Sequence, residues 1–176
     1  VLHVPDDSVV VLVDFQTRLM PVIHEGASVV TQAVRLARIA QILGVPVTGT
    51  EQSPVQLGRN VPEIKDLCSS TVVKDHFDAC AEGLVDALPA GRNSVIVAGC
   101  EAHVCVLQTA LGLLRSGRNV TVVSDAVGSR RTIDRDAGVA RLAAAGVQIA
   151  TVEMIGFEWL GSSRHPRFRD VLSLIK

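Results

Sequence analysis

The feature that most restricts what this chain can fold into is a sixfold recurrence of short runs rich in Val and Ile. They lie at residues 9–13, 45–48, 71–74, 95–98, 120–124 and 147–152, separated by stretches with helix or loop signals. Each run is apolar continuously instead of alternating with polar residues, the pattern of a strand covered on both faces. Between the first two runs, Val30, Ala33, Val34, Ala37 and Ala40 fall on one helical face across residues 28–43, with Ser28 placed to cap and Gly44 to stop. A strand, a covering helix and a second strand make a crossover of nearly invariant right-handed sense, which builds parallel sheets. The sequence therefore predicts an α/β fold, a three-layer α-β-α sandwich around a six-stranded, mainly parallel sheet of Rossmann-type topology. Residues 1–176 are expected to form one domain.

The remaining segments fit that scheme. Residues 52–67 carry Pro54, Gly58 and Pro62 and little periodicity, so a long loop is expected, with one turn of helix near 63–67. Loops of that length in compact domains are often functional. A short helix over 81–88 ends at Pro89, Ala90 and Gly91; another, opened by His103 and Val104, runs to Arg115 and stops at Gly117. A loop is expected at 126–132, a helix at 134–145, and Gly146 turns the chain into the sixth strand. The tail from 157 breaks at 161–163, and residues 166–175 form an amphipathic helix with Phe168, Val171, Leu172 and Ile175 on one side.

Composition narrows the function classes. Hydrophobic residues make up 48% of the chain and aromatics only 3%, a balance suited to Val-rich strands under Ala-rich helices. Net charge is −1, so bulk electrostatics offer nothing to nucleic acid or anionic lipid. The cluster Arg164, Arg167 and Arg169 reads as a solvated helix face. A mean hydropathy of +0.35 points to a buried subunit interface, hence a homo-oligomer, dimer or higher. No apolar run approaches the roughly 18 residues of a membrane span. The chain is expected in the cytoplasm, or in mitochondria if a targeting segment precedes Val1. Its four cysteines, Cys68, Cys80, Cys100 and Cys105, form no CxxC pair and no zinc-ligand spacing, as in a reducing compartment.

In parallel sheets ligands bind beyond the C-terminal strand ends, near the point where strand order reverses. Three such ends carry a reactive group. Asp14, in VVVLVDFQ, is the first charge after the first run; Lys74, in STVVKDHFDA, is the first after the third. Cys105 follows the fourth run across the elbow GCEAHVC, in the first turn of a helix. A helix N-terminus favours thiolate over thiol, which would lower the reference pKa of about 8.5 toward neutrality. Each residue alone has a plain structural explanation: a loop-capping carboxylate, a lysine snorkelling to solvent, a small buried thiol. Together they place an acid, a base and a nucleophile on one sheet edge.

These same segments, VDFQ, VVKDHFDA and GCEAHVCVLQTALGLL, resemble the catalytic motifs of the isochorismatase-like cysteine hydrolases. That superfamily includes nicotinamidases and N-carbamoylsarcosine amidohydrolases. The DAVGSRR loop and the RHPRFRDVLSLIK tail resemble most the isochorismatase domain-containing proteins. The resemblance implies a triad of Asp14, Lys74 and Cys105, a cis peptide between Cys100 and Glu101, and an oxyanion hole from the N–H groups of Glu101 and Cys105. It further implies thiol-dependent cleavage of an amide or carbamoyl C–N bond. Phe15, Gln52, His76, Phe77 and His103 are the candidate substrate-binding residues. One departure matters: nicotinamidases hold a metal through an Asp-x-His set and a further His after the second strand, whereas here that region reads TEQSP and no histidine lies between His24 and His76. No metal or cofactor is therefore expected.

Other motifs fail. A cysteine phosphatase needs Arg six residues after its thiolate, and that position is Leu111; neither GxGxxG nor a P-loop is present. His103 is close to Cys105 in sequence, which does not bring its ring to the sulfur. Two rival readings use the same fold: an oligomeric scaffold without catalysis, and a redox-sensing thiol with Cys100 as the partner of Cys105.

Overall fold

The computed structural model describes residues 1–176. Its strands are β1 (Ser8–Val13), β2 (Val47–Gln52), β3 (Ser70–Lys74), β4 (Ser94–Cys100), β5 (Asn119–Gly128) and β6 (Gln148–Ala150). They form one six-stranded sheet in the order β3-β2-β1-β4-β5-β6, with every pairing parallel. The order reverses between β1 and β4, so the C-terminal ends of these two strands flank the topological switch point. There Val13 sits beside Gly99 on one side and Thr50 on the other.

Alternation along the buried strands splits the core into two layers. Val10 and Leu12 of β1, with Ile96 and Ala98 of β4, face α1 (Gly26–Ile42), α7 (Val152–Leu160) and α8 (Phe168–Ile175). Val9, Val11 and Val13, with Val95 and Val97, face α5 (Cys105–Arg115) and α6 (Thr132–Ala144). Both faces of these strands are buried, which explains why β1 and β4 read as unbroken apolar runs. The short helices α2 (Pro54–Leu57), α3 (Pro62–Lys65) and α4 (Leu84–Ala87) lie in the connections. No helix is long and apolar enough to cross a membrane.

The elements fall where the sequence places them, with instructive shifts. The second strand begins at Val47 and continues through the polar Thr48, Thr50, Glu51 and Gln52, all buried, so β2 ends four residues beyond the apolar run. Likewise β5 continues to Gly128 through residues expected to form a loop, with a register shift opposite Val97 and Gly99. The sixth strand stops at Ala150, and a helix absent from the sequence reading, α7, follows; Thr151 caps it by accepting from the Met154 N–H. Its Val152, Ile155, Trp159 and Leu160 are buried where α7 packs against α1, the sheet and α8, while Met154 and Phe157 on the other side stay exposed. Helix α1 starts at Gly26 with Glu25 as its left-handed entry residue, so Ser28 lies inside the first turn and does not cap it. The expected helix over 81–88 is a 3-10 turn at Ala79–Glu82 followed by α4.

Candidate active site

Asp14 leaves β1 with a φ of 52°, a left-handed conformation that Asp tolerates better than most residues. Its side chain is wholly buried. Oδ1 accepts from the Thr50 hydroxyl at 2.6 Å and Oδ2 from Lys74 Nζ at 2.9 Å. Lys74 belongs to β3, two strands away, and reaches across the end of β2. It is as buried as Asp14, and two further acceptors receive its ammonium: Gln52 Oε1 at 2.6 Å and the His76 carbonyl at 3.3 Å. A buried ion pair is tolerated only when its remaining donors and lone pairs are satisfied, and β2 supplies that through Thr50 and Gln52.

Cys105 opens α5, and its Sγ donates to Gln52 Oε1 at 3.7 Å. Thus Asp14, Lys74 and Cys105, from three separate strand ends, converge around one β2 side chain. The elbow before the thiol contains a cis peptide between Cys100 and Glu101. Around it, the Ala102 N–H donates to the Gly128 carbonyl, and the Val104 and Val106 N–H groups donate to the Glu101 carbonyl. The N–H groups of Glu101 and Cys105 have no protein acceptor. The Glu101 side chain turns away, gripped by the backbone N–H of Arg130 at 2.9 Å and by its guanidinium at 3.1 Å.

Electrostatically the thiol departs from the sequence-based expectation. Burial pushes Cys105 up to about 12; the Asp14 carboxylate adds to the rise and the Lys74 ammonium opposes it. Burial and the Asp14 carboxylate together outweigh the Lys74 ammonium and favour the protonated thiol at rest, in place of the thiolate near neutrality that a helix N-terminus alone would suggest. Burial also raises Cys68, to about 11, and Cys80, to about 12. Cys100 is raised as well, chiefly by burial. It packs in the layer under α1 whereas Cys105 packs in the opposite layer, so the two thiols face opposite sides of the sheet.

The five candidate substrate-binding residues divide sharply. Phe15 is fully buried in the layer under α1, a core residue. Gln52 has both side-chain polar atoms engaged, Nε2 donating to the Asp75 carbonyl at 2.7 Å. Phe77 is half exposed beside the site, and the Thr109 hydroxyl, one turn along α5 from Cys105, holds its carbonyl. His76 is exposed, its Nδ1 2.6 Å from Glu82 Oε1. His103 pairs through Nδ1 with the buried Ser129 hydroxyl at 2.9 Å and braces the elbow. Sequence reasoning missed Thr50, Glu82, Ser129 and Arg130. The available signal was a polar TEQ following an apolar run in a strand, which in a buried sheet requires partners. A cavity of about 350 Å³ lies elsewhere, between the first turns of α1 and α6, lined by His24, Ser28, Ser129, Thr132 and Arg135 among others.

Comparison with known proteins gives the family and the fold. The family model for the isochorismatase domain matches residues 8–154. Isochorismatase domain-containing protein 1 of Salmo salar is 36% identical over 178 residues, an alignment covering 98% of this chain and 62% of that protein. The chain thus spans less than two thirds of that relative's length. Among solved structures, one described as the MAR1 ribonuclease from Caenorhabditis elegans superposes with a TM-score of 0.94 at 36% identity, covering 99% of this chain and 92% of the other. The ycaC gene product from Escherichia coli, described as an octameric hydrolase of unknown specificity, superposes with a TM-score of 0.88 at 26% identity, covering 98% and 95%.

Proposed function

The chain belongs to the isochorismatase family, and from that premise we propose that it is a cysteine hydrolase that cleaves an amide or carbamoyl C–N bond of a small molecule through a thioester on Cys105. The observation that carries the reading is the convergence of a buried carboxylate–ammonium pair on a buried thiol beside two unengaged backbone donors. In a site this buried, those groups interact more strongly than they would in bulk water.

The chemistry follows from the resting protonation. Because the thiol is protonated, nucleophile activation is coupled to attack: Asp14 takes the Sγ proton as sulfur bonds to the carbonyl carbon. Lys74 keeps Asp14 oriented and offsets the charge that moves from carboxylate to sulfur. The N–H groups of Glu101 and Cys105 receive the oxyanion, a contribution of about 3 kcal/mol per donor in comparable sites. Protonated Asp14 then gives its proton to the departing amine, and the same carboxylate activates the water that hydrolyses the thioester. We extend oligomerisation from the octameric relative to this chain; the exposed Val55, Val73 and Phe77 near the site are consistent with a covered surface.

The test is a panel of small primary amides and carbamoyl compounds, assayed for amine release and quenched for peptide mass spectrometry. The expected result is release that is lost in Cys105→Ser, with an acyl mass on the Cys105 peptide. Turnover that survives Cys105→Ser would overturn the reading. A second reading, RNA cleavage, comes from the description of the worm structure. A net charge of −1 and a lysine withdrawn into the core give it little phosphate-binding surface. Cleavage of a labelled RNA by the wild type, abolished in Asp14→Asn, would favour it.

A further inference from the structure

Gln52 holds a position that a substrate-contacting residue does not. It is buried, and its Oε1 is shared by the two groups that matter most, Lys74 Nζ at 2.6 Å and Cys105 Sγ at 3.7 Å. Its Nε2 is tied to the Asp75 carbonyl at 2.7 Å and to Ser53 Oγ at 3.4 Å, which fixes the amide's orientation and aims the carbonyl oxygen at the site. The backbone beneath is pinned too. Gln16 Oε1 accepts from the Gln52 N–H at 2.8 Å, and Gln16 Nε2 donates to the Gln52 carbonyl at 2.9 Å. With every polar group of Gln52 engaged, no donor or acceptor is left over for a ligand.

We propose that Gln52 is a positioning residue for the nucleophile, its side-chain carbonyl fixing the Lys74 ammonium and holding the resting Cys105 thiol hydrogen until Asp14 takes it. The proposal rests on the hydrolase reading above and deepens it. Gln52 Oε1 accepts from the resting thiol at 3.7 Å, and the Asp14 carboxylate lies close enough to act on the same thiol, so the S–H has only to turn from one oxygen toward the other before attack. In that step the S–H bond breaks, the proton goes to an Asp14 carboxylate oxygen, and the sulfur lone pair forms the bond to the substrate carbon. A neutral carbonyl serves better here than a carboxylate, which would compete with Asp14 for both the ammonium and the proton. It also serves better than an apolar side chain, which would leave one ammonium donor unmatched in a buried site.

The experiment measures the rate of Cys105 alkylation by iodoacetamide against pH, by peptide mass spectrometry, in the wild type and in Gln52→Met and Gln52→Glu. Met keeps the bulk without the acceptor; Glu keeps an acceptor and adds charge. The two variants should move the midpoint of the profile in opposite directions. Gln52→Met lowers it, because the thiol loses its acceptor and the freed ammonium donor stabilises thiolate. Gln52→Glu raises it. A midpoint displacement of one pH unit changes the thiolate fraction tenfold below the midpoint. A purely structural role would lower the melting temperature without moving the profile. Profiles from both variants that overlay the wild type, while Asp14→Asn and Lys74→Ala displace theirs, overturn the role of Gln52 and leave the hydrolase reading standing. If none of the four displaces the profile, the hydrolase reading fails with it.

Discussion

Replacing Lys74 by Met isolates the energetic centre of the site. In the wild type the Asp14 carboxylate is fully buried and receives two side-chain hydrogen bonds, from Lys74 Nζ at 2.9 Å and Thr50 Oγ1 at 2.6 Å. Lys74→Met removes the only charge that compensates it and leaves one hydroxyl donor. Losing one partner of a buried pair generally costs ~3–5 kcal/mol, because the survivor stays desolvated and unpaired. Against the ~5–15 kcal/mol of a typical domain, that is a large loss, visible as a shifted urea midpoint at unchanged slope. Asp14→Asn should cost less, since Lys74 retains the Gln52 and His76 oxygens. The double variant Asp14→Asn/Lys74→Met carries no buried charge here and should be more stable than Lys74→Met alone. A coupling of about 2–3 kcal/mol is expected for groups in direct contact. Urea titrations of the four proteins at pH 7 supply the cycle. Single-variant costs that add within roughly 0.5 kcal/mol would refute the reasoning, for they would mean that neither charge depends on the other.

Other parts of the fold make separate predictions. At Gly99 φ is +137°, and a Cβ there would lie 2.1 Å from the Val13 carbonyl oxygen; Gly99→Ala should force β1 and β4 apart below the site and lower both the urea midpoint and Cys105 reactivity. Gly44→Ala, at φ +73° with nothing within 4 Å, should cost only about 1 kcal/mol and is the control. His3 is buried with Nδ1 on Ser94 and Nε2 on Thr121, and burial lowers its pKa below the usual 6.5. The unfolded chain therefore takes up this proton first: the contribution of His3 to stability is present above about pH 6.5 and is lost as pH falls through the folded pKa. Urea midpoints from pH 8 to pH 5 should fall in the wild type and flatten in His3→Gln. Glu82 Oε1 accepts from the N–H of Asp75 and of His76 and from the His76 ring, which holds its carboxyl down at about 2. Glu82→Gln should speed amide exchange at residues 75–77 and slow Cys105 alkylation while barely changing global stability.

How much of this was legible in the sequence depended on whether a residue obeyed its local pattern. Val9 to Val13 and Val95 to Ala98 announce central strands because both faces are buried, and the alternation of strands and helices then points to a parallel sheet. Asp14, Lys74 and Cys105 were visible as the first reactive groups after apolar runs. The end of β2 was not, for the reason that makes it useful. Thr50 and Gln52 are polar residues inside a buried strand, and only tertiary partners on β1 and β3 explain them. Phe15 departs from the expected substrate contact although its neighbour Asp14 belongs to the site, because the left-handed turn at Asp14 sends the ring into the layer under α1. The acidity of Cys105 departs from expectation on similar grounds. A helix N-terminus is readable from sequence, whereas the burial that raises this thiol is a property of the assembled sheet.

The central claim, that Asp14 and Lys74 activate Cys105, is tested most directly by limiting iodoacetamide at pH 7 followed by quantitative peptide mass spectrometry of all four cysteines. Exposure argues against Cys105, which is only 7% accessible, whereas Cys68 and Cys80 are half-buried. Acidity gives it no advantage either, since Cys68 sits near 11 and Cys105 near 12. If Asp14 accepts the thiol proton during attack, Cys105 nevertheless labels first, and Asp14→Asn abolishes that preference. Labelling that follows exposure, with Cys68 and Cys80 ahead of Cys105 in the wild type, would contradict the account.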